Sequence, residues 1–193
     1  MLFLYDVQSP INIGLTLRAA EQFQRPVTLF DPRKILDDPE KSLTVSDFSC
    51  GALTRHPPQL VDSLTSYRDH KRGRLVATCL APDSVPLHEF TFWENDTILL
   101  GNEYDGLPRW LIEFADIRLN IPLPPGSLPK PKSHSPIDPA RETAVAQDGT
   151  PNLNVSTAAA IISYSWRMQN LMQEMDDLSE LAARKAQDRA RTG

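Results

Sequence analysis

The chain has 193 residues, a net charge of −5 and an apolar fraction of 40%, which suits one globular domain able to build a core without staples. Two cysteines are too few for a disulfide framework or a cysteine-built zinc site. The acidic balance argues against a general nucleic-acid coat, whose affinity comes from neutralising many phosphates, and no apolar run approaches the length of a membrane span.

LFLYDV (2–7) reads as a buried opening strand, and MLFLYDVQ lacks the basic start of a signal peptide. A cytoplasmic protein is the expectation. Ser9 as N-cap and Pro10 at the first helical position open a helix. Its buried face is expected to carry Ile11, Leu15, Leu17, Ala19, Ala20 and Phe23. Pro26 ends that helix and VTLF (27–30) makes a second strand. Residues 31–50, polar and broken by prolines, read as loop, and Leu60, Val61, Leu64 and Tyr67 predict a helix over 59–70. RLVATCL (74–80) and TILLG (97–101) are the third and fourth strands, and Pro108 opens a short helix through Phe114. DIRLNIPL (116–123) alternates as a strand should, with Ile117, Leu119 and Ile121 on one side. Strands alternating with helices predict an α/β domain.

Residues 127–151 carry Pro129, Pro131, Pro136, Pro139 and Pro151 and almost nothing large and apolar, so they read as a mobile inserted loop, longer than ordinary connections. LNVSTAAAIISYSWRMQNLMQEM (153–175) is the strongest helix, with Ala158, Ile161, Ile162, Ser165, Trp166, Gln169 and Met172 along its face. The charged residues 176–193 read as a frayed helix or tail. The domain therefore covers 1–175, interrupted by the insertion.

Four segments place polar or glycine residues inside otherwise apolar elements. Asn12-Ile13-Gly14-Leu15-Thr16-Leu17-Arg18 begins the first helix, where unpaired backbone N–H groups let a carboxamide anchor a loop. Gly101-Asn102-Glu103-Tyr104-Asp105-Gly106 follows a buried strand, the place where open α/β sheets bind ligands. Its glycines are wrongly spaced for a dinucleotide fingerprint, and no Gly-Lys-Ser/Thr phosphate loop exists in the chain. Asn120-Ile121-Pro122-Leu123-Pro124-Pro125-Gly126 ends a strand, and Asn152-Leu153-Asn154-Val155-Ser156 opens the long helix. Taken singly, each also reads blandly: a helix cap, a plain turn, a surface arginine.

Taken in order, Asn-x-Gly-x-x-x-Arg, Gly-Asn-Glu-x-x-Gly, Ile-Pro-Leu and Leu-Asn-Val-Ser resemble the TrmH-like (SpoU) branch of the SPOUT RNA methyltransferases, in a minimal single-domain form. The resemblance implies an α/β fold, a mostly parallel sheet flanked by helices with a C-terminal trefoil knot. It implies S-adenosylmethionine bound by Leu100, Gly101, Glu103, Gly106, Ile121, Leu123 and Leu153, with no metal. It implies a homodimer packed through the first and last helices, and methylation of a ribose 2′-hydroxyl in tRNA or rRNA. Arg18 matches the family's catalytic arginine. Arginine, with a pKa above about 12, is a poor general base, so its implied part is to work with a substrate phosphate and stabilise the forming alkoxide. Asn12 would orient the ribose or Arg18, Glu103 would fix the active-site loop, and Asn154 would hold the third motif against it.

Two features depart from the family pattern. Asn152 stands where the family has serine, and the insertion occupies a gap that is usually a few residues. Lys130, Lys132 and Arg141 in that insertion, with Arg18, are the candidate RNA contacts. The alternatives are a knotted RNA-binding protein that has lost transfer, and an unrelated open-sheet nucleotide-binding enzyme.

Overall fold

A computed structural model describes residues 1–63, 73–124 and 153–192. Strands β1 (Leu2–Tyr5), β2 (Val27–Phe30), β3 (Gln59–Val61), β4 (Leu75–Thr78), β5 (Val85–Pro86), β6 (Thr97–Leu100) and β7 (Ile117–Asn120) form one sheet in the order β3-β2-β1-β6-β4-β7-β5. Every neighbouring pair is parallel. The helices are α1 (Pro10–Gln22), α2 (Pro39–Ser49), α3 (Ala52–Arg55), α4 (Arg109–Phe114) and α5 (Val155–Thr192), with a 3-10 turn at Leu87–Glu89. The α/β class and the mostly parallel sheet are as the sequence implies.

Side chains alternate across the central strands, so each strand feeds two cores. Leu2, Leu4, Val76, Ile98 and Leu100 point to the face covered by α1, α2 and α5. Phe3, Leu75, Ala77 and Leu99 point to the other face, with Leu107 and Leu111 packed on them. Pro86 sits on edge strand β5, where a missing N–H breaks no central ladder. On the first face Trp166 is fully buried, stacked on Phe92 at 4.9 Å, with the Arg25 guanidinium 4.3 Å from its ring centroid. Gln169 accepts from the Phe92 amide at 2.7 Å and ties α5 to the segment before β6.

Contacts run in step along α1 and α5: Asn12 with Asn154, Phe23 with Tyr164, Arg25 with Trp166. The two helices therefore descend side by side in the same direction from the carboxyl edge of the sheet.

Several local expectations are corrected. Residues 31–50 are not all loop, because Asp38 accepts from the Glu40 and Lys41 amides as an N-cap and Pro39 opens α2. The expected helix from residue 59 is strand β3 at its start, drawn into the sheet by β2; residues 64–72, Leu64 and Tyr67 among them, lie outside the described residues. Ile11 is not on the buried face of α1. That face is Asn12, Ile13, Gly14, Thr16, Leu17 and Ala20, with Ile13 and Leu17 in the core and Gly14 against α2. The last strand is shorter than 116–123, and Met172, expected on the packed face of α5, is exposed because the helix has already left the body. The insertion 127–151 and Asn152 lie outside the described residues. The stretch after 175 continues α5 without a break to Thr192.

Gly14 marks the closest approach of α1 to α2. A Cβ built there would lie 2.7 Å from the Val45 carbonyl oxygen and 2.8 Å from the Phe48 Cβ. Gly14→Ala is therefore expected to destabilise the fold by about 1–3 kcal/mol through overpacking, despite alanine's better helix propensity. Urea unfolding with an unchanged m-value would check it.

Candidate active site

β1 and β6 are neighbours, yet the chain leaves them in opposite directions, from β1 toward β2 and from β6 toward β7. This is the switch point of the sheet, and the crevice beyond its carboxyl ends is where open α/β folds bind ligands. Three sequence-predicted segments meet there.

The turn after β1 brings the Gln8 and Ser9 amides to the start of α1, where helix geometry leaves N–H groups without internal partners. Glu103, just past β6, fills that need. Its carboxylate accepts from the Gln8 amide at 3.0 Å, the Ser9 amide at 3.1 Å and the Asn12 side-chain amide at 2.7 Å. A negative charge at this end of α1 is also favoured by the helix dipole. Asn12 is itself 8% exposed and holds both neighbours: its Nδ2 donates to Glu103, and its Oδ1 accepts from Asn154 Nδ2 at 3.0 Å. Asn154 in turn caps α5, accepting from the Ser156 amide at 2.8 Å and the Ser156 hydroxyl at 2.6 Å. Three predicted residues from three distant segments thus form one chain of hydrogen bonds.

The loop between them is shaped by Asn102, a member of the Gly-Asn-Glu motif to which the sequence alone assigns no role. Its buried Oδ1 accepts from the Tyr104 and Asp105 amides at 2.9 and 2.7 Å, while its carbonyl accepts from the Gly106 amide at 3.1 Å. An asparagine at a strand end, four residues before a glycine, was the available signal for such a turn. Gly101 lies against the backbone of Gly106 and Leu107, where a Cβ would come within 2.2–2.6 Å. Gly106 has φ +67, and a Cβ built on it would meet nothing within 4 Å. The loop closes tightly on itself and leaves an open, bare-backbone edge at Gly106.

Leu100 is buried at the end of β6, whereas Ile121, Leu123 and Leu153 are half-buried. Ile121 and Leu123 follow β7, which β4 separates from β6. At about 4.8 Å per strand, the two stretches stand about 10 Å apart on the same edge. Tyr5 ends β1 on the same edge, and burial together with the Asp6 carboxylate raises its phenol above the usual range.

Arg18 is placed differently. It is exposed, six residues along α1 from Asn12, on the face of Ile11 and Leu15, and makes no hydrogen bond or ion pair with the described residues. At 1.5 Å per residue its Cα stands about 9 Å farther down the axis. Lys130, Lys132 and Arg141 lie outside the described residues. Among the described residues no group of three or more His, Cys, Asp or Glu could hold a metal ion, and no helix is long and apolar enough to cross a membrane.

The family model of the SpoU rRNA methylases matches residues 1–127. A tRNA (cytidine(34)-2′-O)-methyltransferase of Beijerinckia indica subsp. indica is 30% identical over 129 residues, spanning 65% of this chain and 78% of its own length. A solved structure described as concerning 2-OH methylation of C/U34 on tRNA superposes with a TM-score of 0.66 at 25% identity, over 88% of this chain and 95% of that one. The SpoU methyltransferase AviRb from Streptomyces viridochromogenes, solved in complex with AdoMet, superposes with a TM-score of 0.66 at 21% identity, over 88% of this chain and 57% of that one.

Glu103→Gln keeps the shape but replaces one charged oxygen acceptor with a donor facing N–H groups. Buried bonds to a charged group are worth about 1.5–3 kcal/mol. The variant is expected to lose stability on that order, and hydrogen exchange of the Gln8 and Ser9 amides should speed up accordingly.

Proposed function

The chain belongs to the SpoU rRNA methylase family, and we propose that its substrate is tRNA, methylated at the ribose 2′-hydroxyl of position 34 in the anticodon. The reaction class, S-adenosylmethionine-dependent RNA 2′-O-methylation, comes with the family. The choice of tRNA rests on the curated relative and on the solved structure at 25% identity, both of which concern position 34. The observation that carries the reading is the hydrogen-bonded chain Glu103–Asn12–Asn154, which gathers three family motifs at the switch point of the sheet.

The residues present fit S-adenosylmethionine. The open edge at Gly106 offers bare backbone, and the half-buried Ile121 and Leu123 offer apolar surface two strands away. We assign Leu100, Gly101, Glu103, Gly106, Ile121, Leu123 and Leu153 to this site. When bound, the donor supplies a methyl group on a sulfonium, already a good leaving group. Glu103 holds the loop to the start of α1, so that the Gly106 edge is fixed before ligand arrives. Asn12 keeps that loop in register with the start of α5. This is preorganisation: positioning supplies much of the acceleration of an in-line displacement.

Arg18 is the group we assign to the 2′-hydroxyl, acting with a substrate phosphate to stabilise negative charge on the attacking oxygen. It stands on an outer face that also exposes Ile11, at 41%, and Tyr164, at 54%. We infer that a second copy covers this face, making a homodimer through α1 and α5 in which Arg18 serves a site at the interface. We infer the C-terminal knot that the resemblance implies; what supports it is that the start of α5 reaches Asn12, beside β1, although the described chain leaves the sheet at β7.

Arg18→Ala is expected to lower methyl transfer to tRNA by roughly 10²–10³-fold, the usual scale for removing one charge-stabilising donor. Calorimetry should show S-adenosylmethionine affinity almost unchanged. Normal transfer by the variant would remove Arg18 from this role. Donor binding without transfer by the unmodified chain would favour an RNA-binding protein that has lost catalysis.

A further inference from the structure

Arg25, in the turn between α1 and β2, carries a half-buried guanidinium that no described residue neutralises. Its Cζ stands 4.3 Å from the Trp166 ring centroid, and Trp166 is itself buried and stacked on Phe92. The backbone is fixed, since the Arg25 amide donates to the Ala20 carbonyl at 2.8 Å. Its Nε is buried without a hydrogen-bond partner, and the side chain makes no hydrogen bond or ion pair with the described residues. Burial first, and then the charge of Arg167, lowers its pKa from the usual arginine value. The neighbouring charge that it feels is thus another cation.

The acids at this end of the molecule are committed elsewhere. Glu21 binds Arg55 at 2.6 and 2.7 Å, and Asp96 binds Arg74 at 2.6 and 2.8 Å. Glu174 binds Arg167 at 3.1 Å, where the Arg167 side chain is 42% exposed. The Trp166 ring and the carboxyl end of α1 both favour a cation at Arg25, but among the described residues its N–H groups meet no acceptor. A charge taken out of water without a partner is held at a cost, and the missing partner here is an anion.

We propose that Arg25 and Arg167 together hold a phosphate group at the amino end of the sheet. A guanidinium offers a planar fork of N–H donors that matches phosphate oxygens in pairs. The Arg167–Glu174 contact is a surface pair of little worth, so it does not hold Arg167 back. Helix α1 has 13 residues, which sets the pair about 20 Å from Asn12 and the crevice at 1.5 Å per residue. The phosphate is therefore remote from the reacting ribose, and its capture strengthens binding rather than the transfer step. Two sources carry such a group, the backbone of RNA and free phosphate. The RNA source rests on the substrate proposed above.

The test titrates the full chain with inorganic phosphate and with tRNA, beside Arg25→Met, Arg167→Gln and the double variant. Methionine keeps an unbranched apolar stem on Trp166 and removes the charge. Phosphate at millimolar concentration is expected to shift the Trp166 indole N–H resonance in the unmodified chain but not in Arg25→Met. Each single variant should bind tRNA about 5–10-fold more weakly, with the loss in KM for tRNA rather than in kcat. The double variant should lower the slope of log K against log salt concentration by about 1, the count for one phosphate. Arg25→Met should unfold at the same urea concentration or a higher one, since it removes an unpaired charge. A response to phosphate alone identifies a small phosphate as the ligand, and a response to tRNA alone identifies RNA. Silence in both arms overturns the proposal, and so does a fall in kcat with tRNA affinity unchanged. Methyl transfer by the unmodified chain with both arms silent defeats the phosphate site alone. Variant-sensitive tRNA binding by a chain that transfers no methyl group defeats the enzymatic reading alone.

Discussion

One carboxylate, that of Glu103, joins the two halves of the sheet where their connections diverge. It is 95 residues from the Gln8 amide and 91 from the Asn12 side chain, and Asn12 is 142 residues from Asn154. Contacts at such separations carry a loop-closure cost that local turns do not. They depend on the parallel ladder that sets β1 beside β6. Each acceptor meets a group that would otherwise be orphaned: two amides at a helix start, and a carboxamide that is almost buried. The arrangement therefore stabilises the fold and shapes the site with the same bonds.

This double use explains why the loop after β6 can be bare. Gly101 is squeezed against the backbone of Gly106 and Leu107, and Gly106 turns with a positive φ, so neither position can carry a side chain that would hold the loop. The anchoring falls to Asn102 inside the loop and to Glu103 outward from it. A loop held from behind leaves its front edge as free backbone. That suits recognition by shape and main-chain hydrogen bonds rather than by a charged pocket.

Legibility in the sequence followed the range of the interaction. Ser9 and Pro10 announce α1 because capping is local, and the buried strands announce themselves by apolar runs. The segment after residue 31 misled because its prolines look like breakers, whereas Pro39 sits at the first turn behind the Asp38 cap, where proline is welcome. β3 misled because two exposed residues and a half-buried one carry no strand pattern; only pairing with β2 makes them a strand. Asn12, Glu103 and Asn154 could be named from their motif context, but the bonds among them could not, since no spacing rule reports a contact across 142 residues. The face of α1 was misassigned for a related reason: periodicity locates an apolar stripe without saying which of two stripes meets the sheet. Ile11 and Leu15 form a second stripe, and it faces outward.

That outward stripe bears on how an acidic chain can act on RNA. With a net charge of −5, long-range attraction to phosphate is weak, and binding must come from a few cations in the right place. Arg18 stands among Ile11 and Leu15 rather than among other charges. In water a lone exposed guanidinium is screened, and its effect on a forming oxyanion is small. If a second subunit covers the stripe, the same guanidinium acts at the edge of a dry interface, where each charge counts for more and costs no reorganisation at the moment of reaction. The apolar neighbours of Arg18 and its catalytic use would then have one cause. Covering the stripe would lower the local dielectric, and the charge left at its margin would act more strongly beside a substrate phosphate.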